Sequence, residues 1–262
     1  MERKRNAFVE WLGQLQASGR YTFTREDAKG EGPDVERKAI WRAQRAGLLI
    51  QPRSGFFVIV PAEYRAVGAP PAPWFIDDLM RHREVAYYVG LLSAAALYGV
   101  SPQAAQELQV VVPRAMRPIR AGRLRIRFLM RSDISSAATV ERPTPTGKMV
   151  VSTPEQTALD LMQYPHAAGG WDNVASVLAE LAQQFDPEVL ARTADKAAHP
   201  RPIQRLGHLL DVVHAEASAR ALADWVAPRA LPYVPFEPSA PSAGAPRDQR
   251  WHLILNRAFE VE

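Results

Sequence analysis

The sequence predicts a mixed α/β protein of the α+β kind, with a small helix-and-hairpin module in front of a larger α/β domain. Three observations predict it. Within residues 33–61 a basic helical stretch runs directly into two apolar runs joined by a turn. A Pro-rich stretch, 67–73, follows. Beyond it, strand-like runs crowd residues 108–151, and helix-like stretches fill 154–225.

The front module is argued element by element. Residues 3–18 form a helix whose buried face carries Phe8, Trp11, Leu12 and Leu15, and Gly19 ends it. Thr24 caps a short second helix, and Thr22-Phe23 before it is a minor strand. Val35, Ala39, Ile40, Ala43 and Ala46 then recur at helical spacing as one apolar stripe, while Arg37, Lys38, Arg42, Gln44 and Arg45 lie off it. Asp34 suits the N-cap, and Gly47 the left-handed stop. By helical angle Trp41 falls on the polar side, where it either packs under the hairpin or contacts sugar and base. Residues 48–51 and 56–60 read as strands around a Pro52-Arg53-Ser54-Gly55 turn.

Helix, short helix, helix and hairpin within about sixty residues make up a winged helix-turn-helix. A helix about as wide as the major groove can carry guanidinium groups to base edges, while the hairpin tip reaches neighbouring phosphates. The expected organisation is therefore a DNA-binding winged helix over 1–65, a linker over 66–73 and an α/β domain over 74–262. A small helical domain with a merely solvated charged face is the alternative.

In the larger domain, residues 74–83 form an amphipathic helix. Residues 84–99, apolar nearly all round, form a central core helix. A strand is expected over 108–112, then strands over 116–120 and 123–130 paired around Ala121-Gly122, and two more over 139–142 and 148–151. Ser152-Thr153-Pro154-Glu155 starts a helix with a hydroxyl cap, Pro in the first turn and an acid near the positive helix end. Helices follow over 172–184, 187–197, 201–217 and 218–225. Residues 238–246, rich in Pro, Ser, Ala and Gly, form a mobile loop before a last strand over 251–255.

Charge placement narrows the function. The chain of 262 residues has a net charge of +4, but residues 114–131 hold seven Arg and no acid. Residues 1–65 add a net +4, and residues 132–262 a net −5. Such concentration suits a polyanion met on one side of the molecule. In residues 123–128 Arg123, Arg125 and Arg127 alternate with Leu124, Ile126 and Phe128, so one strand face is expected to be all guanidinium. Charged edge strands also discourage sheet aggregation, which such a run would serve without any ligand. The candidate DNA contacts are Arg37, Lys38, Trp41, Arg42, Arg45 and Arg53 in front. Arg114, Arg117, Arg120, Arg123, Arg125 and Arg127 are the candidates behind.

Other classes find little support. Zero cysteines exclude disulfides and thiolate metal sites and fit a reducing cytoplasm. No apolar run reaches 18 residues, and the start lacks an apolar signal core, so neither a membrane span nor export is expected. His208 and His214 are six apart on one helix and point different ways, so no metal or cofactor is expected. No GxxxxGK[ST] loop occurs, Ser152-Thr153 lacks a neighbouring base, and Glu141 and Lys148 flank a Pro turn without completing a nuclease triplet. A nucleic-acid-processing enzyme that uses the winged helix for substrate affinity, or a ligand-responsive regulator, stands as the alternative to a non-enzymatic repressor.

The chain resembles the AbiEi family of type IV toxin–antitoxin antitoxins. The resemblance is carried by the front module, AYYVGLLSAAALYG (86–99), VSTPEQTALDLM (151–162), RLGHLLD (205–211) and the closing RWHLILNRAFEVE (250–262). Their order and spacing match, and together they span almost the whole length. The resemblance implies a transcriptional autorepressor that binds double-stranded DNA at inverted repeats of its own promoter. It also implies a C-terminal antitoxin domain acting against a nucleotidyltransferase-like toxin encoded beside it. A basic surface on the second domain assists DNA binding in this family, which fits residues 114–131. No toxin-neutralising residue carries over by motif.

Overall fold

The computed structural model describes residues 2–30, 37–100 and 107–259. Helix α1 (Glu2–Ala17) is followed by strand β1 (Thr22–Thr24), helices α2 (Arg25–Gly30) and α3 (Arg37–Arg45), and strands β2 (Leu49–Arg53) and β3 (Phe56–Ile59). Helix α4 (Ile76–His82), strand β4 (Tyr88–Val89) and helix α5 (Leu91–Leu97) come next. Strands β5 (Leu108–Val112), β6 (Ile119–Ala121), β7 (Leu124–Met130), β8 (Thr139–Thr144) and β9 (Gly147–Ser152) follow. The chain continues with α6 (Pro154–Gln163), α7 (Trp171–Leu181), α8 (Pro187–Asp195), α9 (Arg201–Val212) and α10 (Glu216–Val226). Short strands β10 (Val234–Pro235), β11 (Arg247–Asp248) and β12 (Leu253–Ile254) close it. The fold is mixed α/β. The chain divides into two compact units, the first made of Met1–Tyr87, Gln106–Ser132 and Glu141–Val150, the second of Tyr88–Ala105, Asp133–Val140 and Val151–Glu262.

In the first unit Phe8, Trp11, Leu12 and Leu15 come to one face of α1 because they sit three or four residues apart. They close over Phe23, Ala28, Ile40, Ala43, Leu49, Phe57 and Ile59. The rings interlock, with Trp11 edge-on to Phe23 at 5.1 Å and Phe23 stacked on Phe57 at 5.1 Å. A reciprocal cap starts α2: the Asp27 amide donates to Thr24 Oγ1 at 3.1 Å, and the Thr24 amide to Asp27 Oδ2 at 2.7 Å. The apolar stripe of α3 ends at Ala43, because the helix stops at Arg45 and leaves Ala46 exposed in the turn closed by Gly47. The expected cap Asp34 and stripe residue Val35 lie outside the described residues.

Strands β2 and β3 pair antiparallel, Leu49 opposite Ile59 and Arg53 opposite Phe56, and β1 adds to β3 to give the order β1-β3-β2. The hairpin turn is shorter than the four residues expected. Pro52 and Arg53 belong to β2, and Ser54-Gly55 alone makes the reversal, with Gly55 at φ +78°. Pro52 has no N–H to give to the ladder, and the register shifts between Ile50 and Arg53, where a bulge absorbs the missing bond.

Segment 66–73, expected to be a linker, is packed inside the first unit. Ala69 and Ala72 are buried, and Tyr21 and Tyr64 stand edge-on to Trp74 at 5.1 and 5.3 Å. Proline fixes φ and blocks a helix, yet it does not prevent burial in a turn. The same segment anchors the turn between β6 and β7: the Arg123 amide donates to the Val67 carbonyl at 3.0 Å. Gly122 sits there at φ +55°, and a Cβ on it would lie 2.3 Å from the Val67 oxygen and 2.9 Å from the Gly68 Cα. Gly122→Ala is therefore expected to cost about 1–2 kcal/mol, from backbone strain plus a turn forced off its seat. Thermal unfolding of the full chain measures it, and an unchanged midpoint would show that the seat carries no weight.

Strand β7 lies between β6, antiparallel with Ile119 opposite Ile126, and β5, parallel with Leu108 opposite Ile126. In the second unit β4 runs parallel to β9 through Val89 and Val151. Residues 84–99 are thus not one helix. Tyr87-Tyr88-Val89 extends into β4, and Leu91, at φ +51° after an extended Gly90, starts the separate helix α5. An all-round apolar run suits a buried strand as well as a buried helix, and aromatic and β-branched residues side by side favour the strand.

Helix α6 starts as expected, with Thr153 Oγ1 accepting from the Gln156 amide at 3.3 Å. Its buried side carries a polar knot. Tyr88 Oη and Gln156 Nε2 donate to Asp160 Oδ1 at 3.1 and 2.9 Å, and the Ser152 and Thr157 hydroxyls meet at 2.7 Å. The expected helix over 201–217 breaks after Val212, in a turn where His214 takes φ +58°, so α10 starts earlier than 218. The loop expected to be mobile is pinned at its root: Asn256 Nδ2 donates to the Glu237 and Ala240 carbonyls at 2.8 and 3.0 Å.

Candidate nucleic-acid interface

The outward face of α3 follows from residue spacing. Lys38, Trp41, Arg42 and Arg45 stand at i, i+3, i+4 and i+7, so they share one stripe, and all four are exposed while Ile40 and Ala43 are buried opposite. Trp41 does not pack under the hairpin. It is 56% exposed, and the Arg45 guanidinium lies over its ring at 5.1 Å from the centroid. No acidic residue lies in α3, whose nine residues span about 14 Å. The stripe therefore offers cations and one large flat apolar group together. The Arg37 side chain lies outside the described residues.

Arg53 is placed differently from a free hairpin tip. It is half-buried, and its guanidinium donates to the Arg117 carbonyl and lies 5.8 Å from the Phe128 ring centroid. Burial first, and then the positive charges of Arg83 and Arg117, hold its pKa below the usual guanidinium range. The hairpin thus leans on the β6–β7 ribbon.

That ribbon is less uniform than the alternation of residues 123–128 suggests. Arg123 falls in the turn with Gly122 and is exposed there. Arg120 and Arg125 stand opposite each other across the antiparallel pair, an arrangement that like charges disfavour. Arg125 is half-buried and donates to its own backbone, the Gly122 and Leu124 carbonyls at 2.8 and 2.9 Å. Arg127 meets Glu107 at 3.4 Å. Arg114, Arg117 and Arg120 are exposed.

Both groups of sequence-selected residues belong to one compact unit, which residue spacing alone did not show. Charge separates with the units. The first holds 23 Lys/Arg against 13 Asp/Glu, a net +10, and the second 9 against 15, a net −6. A field of that sign draws polyanions to the first unit. Arg83, at the end of α4, was not among the selected residues. In the sequence it is masked by Asp77, Asp78 and Glu84, but in the structure those two aspartates pair with Arg81. Among the described residues no group of three His, Asp or Glu side chains could hold a metal ion, and no helix is long and apolar enough to cross a membrane.

No curated protein matches the chain. Among solved structures, the crystal structure of RV2827C protein from Mycobacterium tuberculosis is similar, with a TM-score of 0.64 at 18% identity over 95% of this chain and 90% of that one. At that identity the likeness concerns the fold. The family comparison starts at Tyr88, where the second unit also starts. Residues 88–212 match the AbiEi antitoxin C-terminal domain, and it is this family that the greater part of the second unit resembles.

Proposed function

We propose that the chain is the DNA-binding autorepressor and antitoxin of a type IV toxin–antitoxin pair. The observation that carries it is that one chain holds both a +10 unit, bearing the exposed Lys38–Trp41–Arg42–Arg45 stripe, and an antitoxin-domain match over 88–212, which takes in the arginine ribbon of that unit and much of the second unit. In this reading α1 to β3 form a winged helix-turn-helix, α3 enters the major groove of the chain's own promoter, and exposed ribbon arginines hold the flanking phosphates. Phosphate contacts set the register and base contacts set the sequence, so the ribbon adds affinity and α3 adds specificity. The second unit counteracts a nucleotidyltransferase-like toxin encoded beside it. No catalytic residue is assigned.

The test is co-expression with the adjacent nucleotidyltransferase-like gene in a growth-rescue assay. Cutting the chain at residue 65 would divide the first unit, so the full chain is used, with and without Arg42→Ala and Arg45→Ala. Both versions are expected to restore growth, because the α3 cations serve transcription. Failure of the unaltered chain to rescue growth would refute the antitoxin role.

A further inference from the structure

Around the hairpin tip the first unit gathers basic groups from three separate stretches of chain. Arg53 ends β2, His82 ends α4 with Arg83 as its cap, and Arg117 precedes β6. The Arg53 guanidinium reaches the Arg117 backbone, and His82 lies 5.4 Å from the Phe56 ring, with its Nε2 over Gly55. Both charges that bear on Arg53 are cations, Arg83 and Arg117. Among the described residues no carboxylate forms an ion pair with Arg53, Arg83 or Arg117. Arg83 and Arg117 are exposed, so an incoming group can reach both.

Like charges held together without an acid are what an anion neutralises. Three other arginines of the unit do have acidic partners: Arg20 with Asp27, Arg81 with Asp77 and Asp78, Arg127 with Glu107. The hairpin-tip group is the contrast. Arg53 is fixed by its carbonyl and ring contacts, so it supplies a standing charge, whereas Arg83 and Arg117 keep donors free for fork-like contact with phosphate oxygens.

We propose that Arg53, Arg83 and Arg117 form one seat for a backbone phosphate of duplex DNA, with Arg83 as a direct ligand. The seat rests on the DNA-binding reading above and deepens it. It makes the hairpin tip and the ribbon a single contact, and it adds the residue that caps the C-terminus of α4.

Fluorescence anisotropy of the full chain tests this with two labelled duplexes, one carrying the region upstream of its gene and one of unrelated sequence. Arg83→Ala is expected to weaken both alike, about five- to tenfold near 0.1 M salt, and to lower the slope of log affinity against log salt by about one. Arg117→Ala should do the same, and Arg83→Lys should retain most of the affinity. Unchanged affinity and slope in both alanine variants overturn the seat, as does a loss confined to the upstream duplex. If Arg42→Ala with Arg45→Ala still abolishes upstream binding in that case, the seat alone has failed. Absence of any binding by the unaltered chain removes the seat and the DNA-binding reading together.

Discussion

Replacing Arg37, Arg42 and Arg45 together by alanine is expected to lower affinity for the upstream duplex at least about a hundredfold, because each well-formed base contact contributes roughly 1–3 kcal/mol of discrimination. The fold should survive the change. Arg42 and Arg45 are exposed, and α3 is held by Ile40 and Ala43, which the substitutions leave in place. Alanine also has the highest helix propensity, so the helix itself is not weakened. Affinity for an unrelated duplex should fall far less, since the phosphate contacts proposed for the ribbon are untouched. Anisotropy titrations with both duplexes at one fixed salt concentration separate these terms. Equal losses on the two duplexes would make α3 another backbone contact, and an unchanged upstream affinity would remove it from the interface altogether.

That expectation was legible in the sequence to a definite depth. The spacing of Ile40 and Ala43 fixes which side of α3 is buried, so the outward side follows from geometry. The same reasoning left Trp41 open, because helical angle does not say whether a neighbouring element covers the indole. Arg53 shows a different limit. Its place beside Ser54-Gly55 reads as an exposed tip, yet its partners, Arg117 and Phe128, lie more than sixty residues away in the chain. Non-local pairing likewise decides residues 84–99. Tyr88 and Val89 are a strand because Val151 lies beside them, and nothing within the apolar run announces that partner. The Pro-rich stretch shows a related limit: such composition reports backbone restriction, and it does not announce that Ala69 and Ala72 are buried in a segment ending at Trp74, whose ring meets Tyr21 and Tyr64 edge-on.

Gly207 is the sharpest case of a residue whose role only packing reveals, and Gly207→Ala is the second large expected effect. Propensity alone predicts a gain, since glycine inside a helix costs about 1 kcal/mol relative to alanine. Sterics predict the opposite. A Cβ at Gly207 would lie 2.0, 2.3 and 2.4 Å from three ring atoms of Trp251. The indole is fully buried and has no room to retreat. Its Nε1 donates to Asp211 Oδ2 at 2.6 Å, its backbone amide to Asp248 Oδ1 at 3.2 Å, and its carbonyl accepts from Gln204 Nε2 at 3.1 Å. Gln204, Gly207 and Asp211 share one face of α9, so the helix holds the Trp251 backbone carbonyl at one end and the indole N–H at the other, and the ring touches backbone between them. Forced overpacking of this kind costs up to about 3 kcal/mol or more, which exceeds the propensity gain. A net loss of about 2 kcal/mol should lower the unfolding midpoint by roughly 4–8 °C. Trp251→Phe shortens the ring system, so the double variant should lose less than the two single losses together. A raised midpoint for Gly207→Ala would mean that α9 and the segment around Trp251 are not packed in this way.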